Sequence, residues 1–353
     1  MNDSDHGRVS VVIPARNEEA NIARVVRSIA AQERVVEVIV VDDHSEDGTG
    51  RILEGLKAEF PCLRLLRAEA LPAGWTGKAH AVATGTRVAS GEWLLLTDAD
   101  TEHLPGSLET LLARAESENV DLLSVSPGQE TPTAWEKSVI PRVYVELAKR
   151  FRFEDVSDPA SPAAAANGQY ILIRREVYER AGGHAAVRAE ILEDVALARR
   201  VKGAGGKLLF LPGAPWVRTR MYPTFREMWR GWTKNLFLLY ERQLGRVLGK
   251  AAELCVLDLL PAGAFIALCI AMASGRGGAA TVFAALGCFF FMLMHQGRYA
   301  RALATLGFEP SLANYQIPGA ALLAILLLNS ARVYVRGGKV NWKGRHYPTK
   351  DHT

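Results

Sequence analysis

Several short clusters in this 353-residue chain combine residue types and spacings that suit chemistry. Asp98-Ala99-Asp100 sets two carboxylates around a small residue at the end of the apolar run Trp93–Thr97. Alternate residues of an extended segment point the same way, so both acids can face one ligand. A hard divalent cation takes a few carboxylate oxygens and completes its shell with phosphate and water. A solvated strand-end turn would use the same residues. Asp42-Asp43 closes a second apolar run, Val35–Val41. A carboxylate there can accept hydrogen bonds from a base N–H or a ribose hydroxyl, or serve the turn chemistry of the surrounding DDHSEDGT. Glu193-Asp194 opens a predicted helix over 190–202. One of the pair can act as a general base toward an acceptor hydroxyl; as plain helix-dipole partners they would need no ligand. Neighbouring helical residues diverge, so only one of the two is expected to do it.

Two further segments carry cations. Gly74-Trp75-Thr76-Gly77-Lys78 is a glycine-flanked loop leading into a helix. Helix N-termini bind anions and Lys78 adds a point charge, which suits a nucleotide diphosphate; a surface loop is the alternative. Residues 225–235 (FREMWRGWTKN) combine Arg226, Trp229, Arg230, Trp232 and Lys234. The cations can neutralise a departing diphosphate, and the tryptophans can anchor an amphipathic helix at a membrane interface. His44, His80, His103 and His184 form no HExxH-type cluster and read as surface or supporting residues rather than ligands. No Gly-x-Ser-x-Gly elbow supports serine hydrolase chemistry.

The elements that must position these residues alternate. Strands are expected at Val9–Ile13, Val35–Val41, Leu63–Leu66, Trp93–Thr97 and 120–125. Helices are expected at 18–32, 49–59, 78–89 and 106–117, with Glu18 and Glu19 in the first turn of the first one. Strands separated by such helices imply βαβ units and a mostly parallel sheet. Ligands then bind outside the carboxyl ends of the strands, where Pro14–Asn17, Asp42-Asp43 and Asp98–Asp100 fall. GxGxxG and GxxxxGK[ST] are both missing, which speaks against dinucleotide oxidoreductases and P-loop NTPases.

Composition divides the chain. Of 80 Lys, Arg, Asp and Glu residues, only Glu253, Asp258, Arg276, Arg298, Arg301, Glu309 and Arg332 lie within 251–335. The net charge of +4 is too small to suggest nucleic acid, and no basic stripe interleaves with aromatics. Of four cysteines only Cys62 precedes the apolar tail, so no disulfide framework or CxxC metal pair is expected. The polar MNDSDHGR start leads straight into a strand-like run and reads as lacking a signal peptide.

The ordered set VSVVIPARNEEANI (9–22), VIVVDDHSEDGT (38–49), GWTGKAHA (74–81), LLLTDAD (94–100), ANGQYILIRREVYERAGG (166–183), LEDVALARRV (192–201) and the 225–235 stretch resembles family 2 glycosyltransferases. The resemblance covers roughly residues 8–240 and extends to VNWKGRHY (340–347), seen in membrane-bound members. Within the family the chain looks most like the hopanoid-biosynthesis-associated glycosyltransferases. This implies an α/β GT-A nucleotide-diphospho-sugar transferase fold plus C-terminal transmembrane helices. It implies a nucleotide-sugar donor, UDP-linked, a lipid acceptor (a hopanoid, another isoprenoid, a sphingolipid-like lipid or a polyprenyl phosphate), and Mg²⁺ or Mn²⁺. Pro14, Arg16 and Glu18 would border the nucleotide, Asp43 and Asp42 would contact uracil or its ribose, and Lys78 would sit near it. Asp98 would help bind the nucleotide and the metal, and Asp100 would hold the metal on the diphosphate. Asp194 of Glu193-Asp194 would be the base, with Gly168 and Gln169 on the acceptor side. Arg230 and Trp232 stand where processive synthases carry QxxRW. Here the sequence is Glu227-Met-Trp-Arg230-Gly, which favours single-sugar transfer over polymer synthesis. A non-catalytic sugar-nucleotide-binding scaffold is the reading from a different class, and intact Asp98, Asp100 and Asp194 argue against it.

The expected organisation is a catalytic domain at 1–225, an amphipathic interfacial segment at 226–250, a membrane region at 251–335 and a basic tail at 336–353. Apolar stretches at about 254–272, 278–296 and 317–335 approach the roughly 20 residues needed to span a bilayer. Basic residues flank both ends (Arg242, Arg246, Lys250; Arg336, Lys339, Lys343, Arg345), which the positive-inside rule places in the cytoplasm with the catalytic domain. Three crossings would separate those flanks, so two to three spans of a bacterial-type inner membrane are expected. Asp258 within apolar sequence calls for a partner or a polar cavity.

Overall fold

The computed structural model describes residues 7–343 and 345–348; most of the polar N-terminal start (1–6), Gly344 of VNWKGRHY and the last five residues lie outside the described residues. The chain divides into two compact units, 1–130 with 148–221, and 131–147 with 222–353.

The first unit contains strands β1 (Val9–Ala15), β2 (Val35–Asp42), β3 (Leu63–Arg67), β4 (Trp93–Leu96), β5 (Thr101–His103), β6 (Leu122–Ser126), β7 (Gly128–Gln129), β8 (Ile171–Arg174), β9 (Leu208–Pro212) and β10 (Val217–Thr219). Seven form one sheet in the order β3-β2-β1-β4-β8-β6-β9. β8 runs antiparallel to both neighbours, and the remaining pairs are parallel. The β5-β10-β7 trio forms a second small sheet. Helices α1 (Ile22–Ala30), α2 (Thr49–Glu59), α3 (Gly77–Thr86) and α4 (Ser107–Ser117) follow the early strands. Next come α5 (Ala134–Arg150), which begins in the second unit, α6 (Phe153–Ser157), α7 (Arg175–Arg180) and α8 (Glu193–Gly203).

The strands read as continuous apolar runs because both faces are covered. Val9, Val11 and Ile13 pack on one side with Val25, Ile29, Leu53 and Leu111 of the helices there. Val12, Ile39, Val41 and Leu94 pack on the other with Ala81, Val82, Leu197 and Val201. Each fully buried aliphatic side chain of this kind contributes roughly 1.5–3 kcal/mol. α3 lies close on the sheet at Gly85, where a Cβ would meet Val12 Cγ1 at 2.5 Å. That contact fixes the height at which the first turn of α3, and Lys78 with it, meets the strand ends.

Two expected details are corrected. α1 starts at Ile22, and its first turn holds no acid. Glu18 and Glu19 instead tie two strand-end loops together. The Glu18 N–H donates to Thr49 Oγ1 at 2.8 Å, and the Glu19 carboxylate accepts the Gly48 N–H at 2.8 Å. Likewise the chain leaves β4 at Leu96 and turns at Ala99-Asp100, so the two aspartates do not sit on an extended segment.

The second unit is helical: the first part of α5, α9 (Phe225–Leu239), α10 (Leu244–Leu254), α11 (Leu260–Ala273), α12 (Ala279–Thr305) and α13 (Gln316–Val335), then a hairpin of β11 (Lys339–Trp342) and β12 (Arg345–Pro348). A π-helical turn, Cys255–Leu259, joins α10 to α11. Three stretches are long and apolar enough to cross a membrane: Leu244–Ala273, Ala279–Thr305 and Pro310–Val335. Asp258 lies on the π turn with its side chain fully buried, and Arg142 of α5 donates to it at 2.9 Å. Gln316 donates to the same carboxylate at 2.6 Å, and His295 Nδ1 lies 3.4 Å away. Lys250 and Arg142 both approach Glu146, at 2.8 and 3.7 Å.

Candidate functional site

The order β3-β2-β1-β4 places a switch point between β1 and β4: the chain winds outward to β3, then α3 returns it to the other side of β1. Such a reversal opens a crevice at the strand carboxyl ends. The antiparallel β8 begins there, since Ile171 pairs with Leu96, the last residue of β4. The loop before β8 is thereby delivered to the same place. Pro14, Lys78, Thr97, Asp98, Gly168, His184, Glu193 and Asp194 line one small pocket.

Lys78 is its centre. Nζ lies 2.8 Å from Asp98 Oδ1, 3.0 Å from Asp98 Oδ2 and 2.9 Å from Glu193 Oε1. Thr76 starts α3 as its N-cap, with Oγ1 accepting the Ala79 N–H at 3.3 Å, so Lys78 projects from an ordered first turn. Burial alone would discharge the amine; the charges of Asp98, Glu193 and Asp194 instead hold it protonated, well above its usual range. Glu193 experiences the converse. Burial works against its charge, but Lys78 keeps it ionised, below the usual carboxylate range. Asp194 is pushed up to about 6 by burial and by the Glu193 charge, against the pull of Lys78 and the N–H groups of Gly168 and Val195. Those N–H groups donate to its two oxygens at 2.9 and 2.8 Å. A carboxylate that accepts a proton near neutrality and is fixed by two amides has the properties of a general base.

Gly168 is required by space. A Cβ there would meet Lys78 Nζ at 2.7 Å and Asp194 Oδ2 at 3.4 Å. Its neighbour Gln169 is buried, and its amide nitrogen reaches Thr219 Oγ1 at 3.2 Å and Asp100 Oδ1 at 3.5 Å. Among the described residues no three acid, histidine or cysteine side chains form a metal cage. Asp100, with Asp98 across the turn, offers hard oxygen donors, so an ion there would complete its shell from a diphosphate and water, as Mg²⁺ and Mn²⁺ do.

The other expected nucleotide residues gather around the ends of β1 and β2. Arg16 Nη1 donates to the carbonyls of Asp43 and His44 at 2.6 and 3.3 Å. The Asp43 N–H donates to the Ala15 carbonyl at 2.8 Å, and Asp42 Oδ1 accepts the Ser45 N–H at 2.9 Å. Asn17 and His44 adopt left-handed backbone there, φ 53° and 58°, a conformation that the interlocked loops impose. Arg230 and Trp232 belong to α9 of the second unit. Arg230 is exposed, whereas Trp232 is buried edge-on against Tyr144 and Tyr222.

Of the histidines expected as surface or supporting residues, His80, His103 and His184 are buried. His184 lines the pocket and is held by Tyr178, whose hydroxyl lies 3.0 Å from Nδ1; burial drops it to about 4, so it stays neutral beside Lys78. His103 supports the aspartate turn from beneath. Thr97 Oγ1 donates to the Gln169 carbonyl and Thr101 Oγ1 to the Asp98 carbonyl, each at 2.8 Å. With both hydroxyl protons committed, His103 Nε2, 3.1 Å from Thr97 Oγ1, carries the hydrogen that it donates. Burial pushes this histidine down to about 3. The sequence offered one signal for His184, its place directly after Gly182-Gly183, and none for the Thr97–Thr101–His103 group.

The sheet order, the switch point and the acid-rich strand ends define an α/β protein of the GT-A type. A solved structure of mannosyltransferase PcManGT from Pyrobaculum calidifontis, in complex with GDP-Man and Mn²⁺, matches with TM-score 0.50 at 20% identity, covering 92% of this chain and 86% of that one. Residues 10–182 match the family described as Glycosyl transferase family 2, and the chain carries a domain of that family. Over 236 residues it is 30% identical to 4,4'-diaponeurosporenoate glycosyltransferase of Staphylococcus aureus (strain USA300), covering 66% of this chain and 61% of the relative. The chain thus spans about three fifths of that relative's length.

Proposed function

We propose that this protein is an inverting glycosyltransferase that moves one sugar from a nucleotide-sugar donor, UDP-linked, to a lipid hydroxyl at a membrane. The reading rests above all on Asp194, a pocket carboxylate at the switch point that titrates near 6 and is held by two backbone amides. Asp194 takes the proton of the acceptor hydroxyl, whose oxygen attacks the anomeric carbon opposite the leaving group. One displacement inverts the configuration. Lys78 pairs with Asp98 and Glu193 and keeps Glu193 ionised, while Asp194, pushed up to about 6, exchanges a proton near neutral pH. Arg16 fixes the loop carrying Asp42 and Asp43, which receive the base and ribose. Asp100, with Asp98, would hold Mg²⁺ or Mn²⁺, which supplies charge neutralisation for the departing diphosphate.

The lipid class is inferred from three apolar helices and from relatives: one named for a diaponeurosporenoate acceptor, and the hopanoid-associated group that the motifs resemble. A hopanoid is the acceptor proposed, with the catalytic unit on the cytoplasmic side. The test is lipid profiling of a deletion strain, followed by transfer assays of the full chain in membranes with labelled UDP- and GDP-sugars, with and without EDTA. Loss of a glycosylated hopanoid and EDTA-sensitive transfer of a single sugar are expected. Unchanged hopanoids would overturn the acceptor, and full activity in EDTA would overturn the metal.

A further inference from the structure

The three helices apolar enough to cross a membrane differ in what covers them. In the apolar windows of Leu244–Ala273 and Ala279–Thr305, 11% and 6% of residues are buried in the protein; in that of Pro310–Val335, 44% are. Large side chains on α11 and α12 stand outward, with Phe283 73%, Phe290 64% and Ile270 63% exposed. On α13, Leu323, Leu326 and Leu327 are buried.

Besides the apolar packing of Phe237 on Tyr334, α13 is tied to α9 by polar contacts. The Ser330 hydroxyl accepts the Phe237 N–H at 2.9 Å and donates to the Thr233 carbonyl at 2.7 Å, so it inserts into the hydrogen-bond ladder of α9. The Tyr334 hydroxyl donates to the Lys234 carbonyl at 2.7 Å, and Asn329 donates to Thr233 Oγ1 at 3.0 Å. Gly319 lets α13 approach the backbone of α5 at Ser138. α9 carries Arg226, Glu227 and Arg230 exposed in its first two turns. A crossing by α13 would pull these charges into hydrocarbon, where they are strongly disfavoured.

From these contacts we infer that only α11 and α12 enter the bilayer, as one antiparallel hairpin, and that α13 stays on the side of α9. From Val256 to Ala273 and from Ala279 to Gly297 the two legs run about 27 and 28 Å at helical rise, close to the roughly 30 Å of a hydrocarbon core. Phe265 and Phe289 pack between the legs, ring centroids 5.8 Å apart. Asp258 lies inside the first leg, but its side chain is turned inward onto Arg142 and Gln316 and meets no lipid. Charge agrees with this topology. Arg242, Arg246 and Lys250 precede the hairpin; Arg298, Arg301, Arg336, Lys339, Lys343 and Arg345 follow it. Two crossings put all of them on one side, as the positive-inside rule requires; three would divide them.

The test is single-cysteine labelling of the full chain in sealed vesicles of both orientations, with the four native cysteines replaced by alanine and a membrane-impermeant maleimide as probe. Ser274→Cys reports the hairpin turn, Ser311→Cys the segment before α13, and Arg336→Cys the residue after it. Lys339→Cys stands in if Arg336→Cys is not produced. Ser274→Cys is expected to react from one face, and Ser311→Cys and Arg336→Cys together from the other, each at least tenfold over the opposite orientation. Reaction of Ser311→Cys and Arg336→Cys from opposite faces would show α13 crossing and overturn the inference. Reaction of all three from one face would overturn it as well.

Discussion

Lys78 Nζ and Glu193 Oε1 lie 2.9 Å apart, joining the first turn of α3 to the first residue of α8. Lys78→Met removes the cation from a pocket that also holds Asp98 and Asp194. Transfer is expected to fall by about 100-fold, the scale seen when one electrostatic partner is removed from a preorganised site. Lys78 lowers the pKa of Asp194, so the acidic limb of the rate profile should also move to higher pH in the variant. A profile of kcat/KM against pH reads both effects.

Asp194 must be ionised to accept a proton. In the unaltered protein kcat/KM should rise through pH about 6, where burial and Glu193 place this carboxyl, and level off above it. Asp194→Asn is expected to abolish transfer while nucleotide-sugar binding, measured by calorimetry, is largely kept.

Gly168→Ala tests space rather than charge. The added methyl would stand 2.7 Å from Lys78 Nζ, so the amine must shift. A displacement of about 1 Å in such a cluster can cost on the order of 100-fold. The expected result is a fall in kcat of that order with the melting temperature nearly unchanged.

His103 links fold and pH. Its folded pKa, about 3, lies below the ordinary 6.5 because the ring is buried. The unfolded chain therefore binds a proton that the folded protein refuses, and stability is lost as pH falls from 6.5 toward 3. His103→Gln keeps a donor for Thr97 but cannot titrate. Between pH 7 and 5 its melting temperature should drop less than that of the parent.

Arg142 and Asp258 form a buried pair. Arg142→Leu leaves the carboxylate without its cation and is expected to destabilise the helical unit by about 3–5 kcal/mol. Adding Asp258→Asn should recover most of the loss, as judged by denaturation in detergent.

Much of the first unit was legible because apolar runs and helical spacing are local. Strands β1, β2, β3, β4 and β6 and helices α2 and α4 lie within a few residues of the expected ones, whereas β5, β7, β8, β9 and β10 were not foreseen. Pro14, Asp98, Glu193 and Asp194 were legible because strand ends and helix starts are where a parallel sheet exposes its chemistry. What escaped depends on partners distant in sequence. Nothing near Lys78 announces Glu193, and nothing near Glu18 and Glu19 announces the Gly48–Thr49 loop that draws them out of α1. The burial of His103 and His184 follows from packing that no local pattern records. Asp258 called for a partner, but nothing local in the sequence pointed to Arg142, which the π turn brings to it.

β8 begins where its antiparallel neighbour β4 ends, so the segment leading to it, residues 158–167, lies at the rim of the sheet and bears none of its strand pairing. It is anchored by packing instead: Ala164, Ala165 and Ala166 are buried in the core, Lys202 Nζ donates to the carbonyls of Asp158 and Ala163 at 2.9 and 2.6 Å, and the Asn167 N–H donates to Ser124. The exposed part of the rim is thus confined to its first half, residues 158–162. Substitutions at residues 158–162 can therefore remodel this rim, while the buried alanines that follow keep β4, β8 and Asp194 where they are.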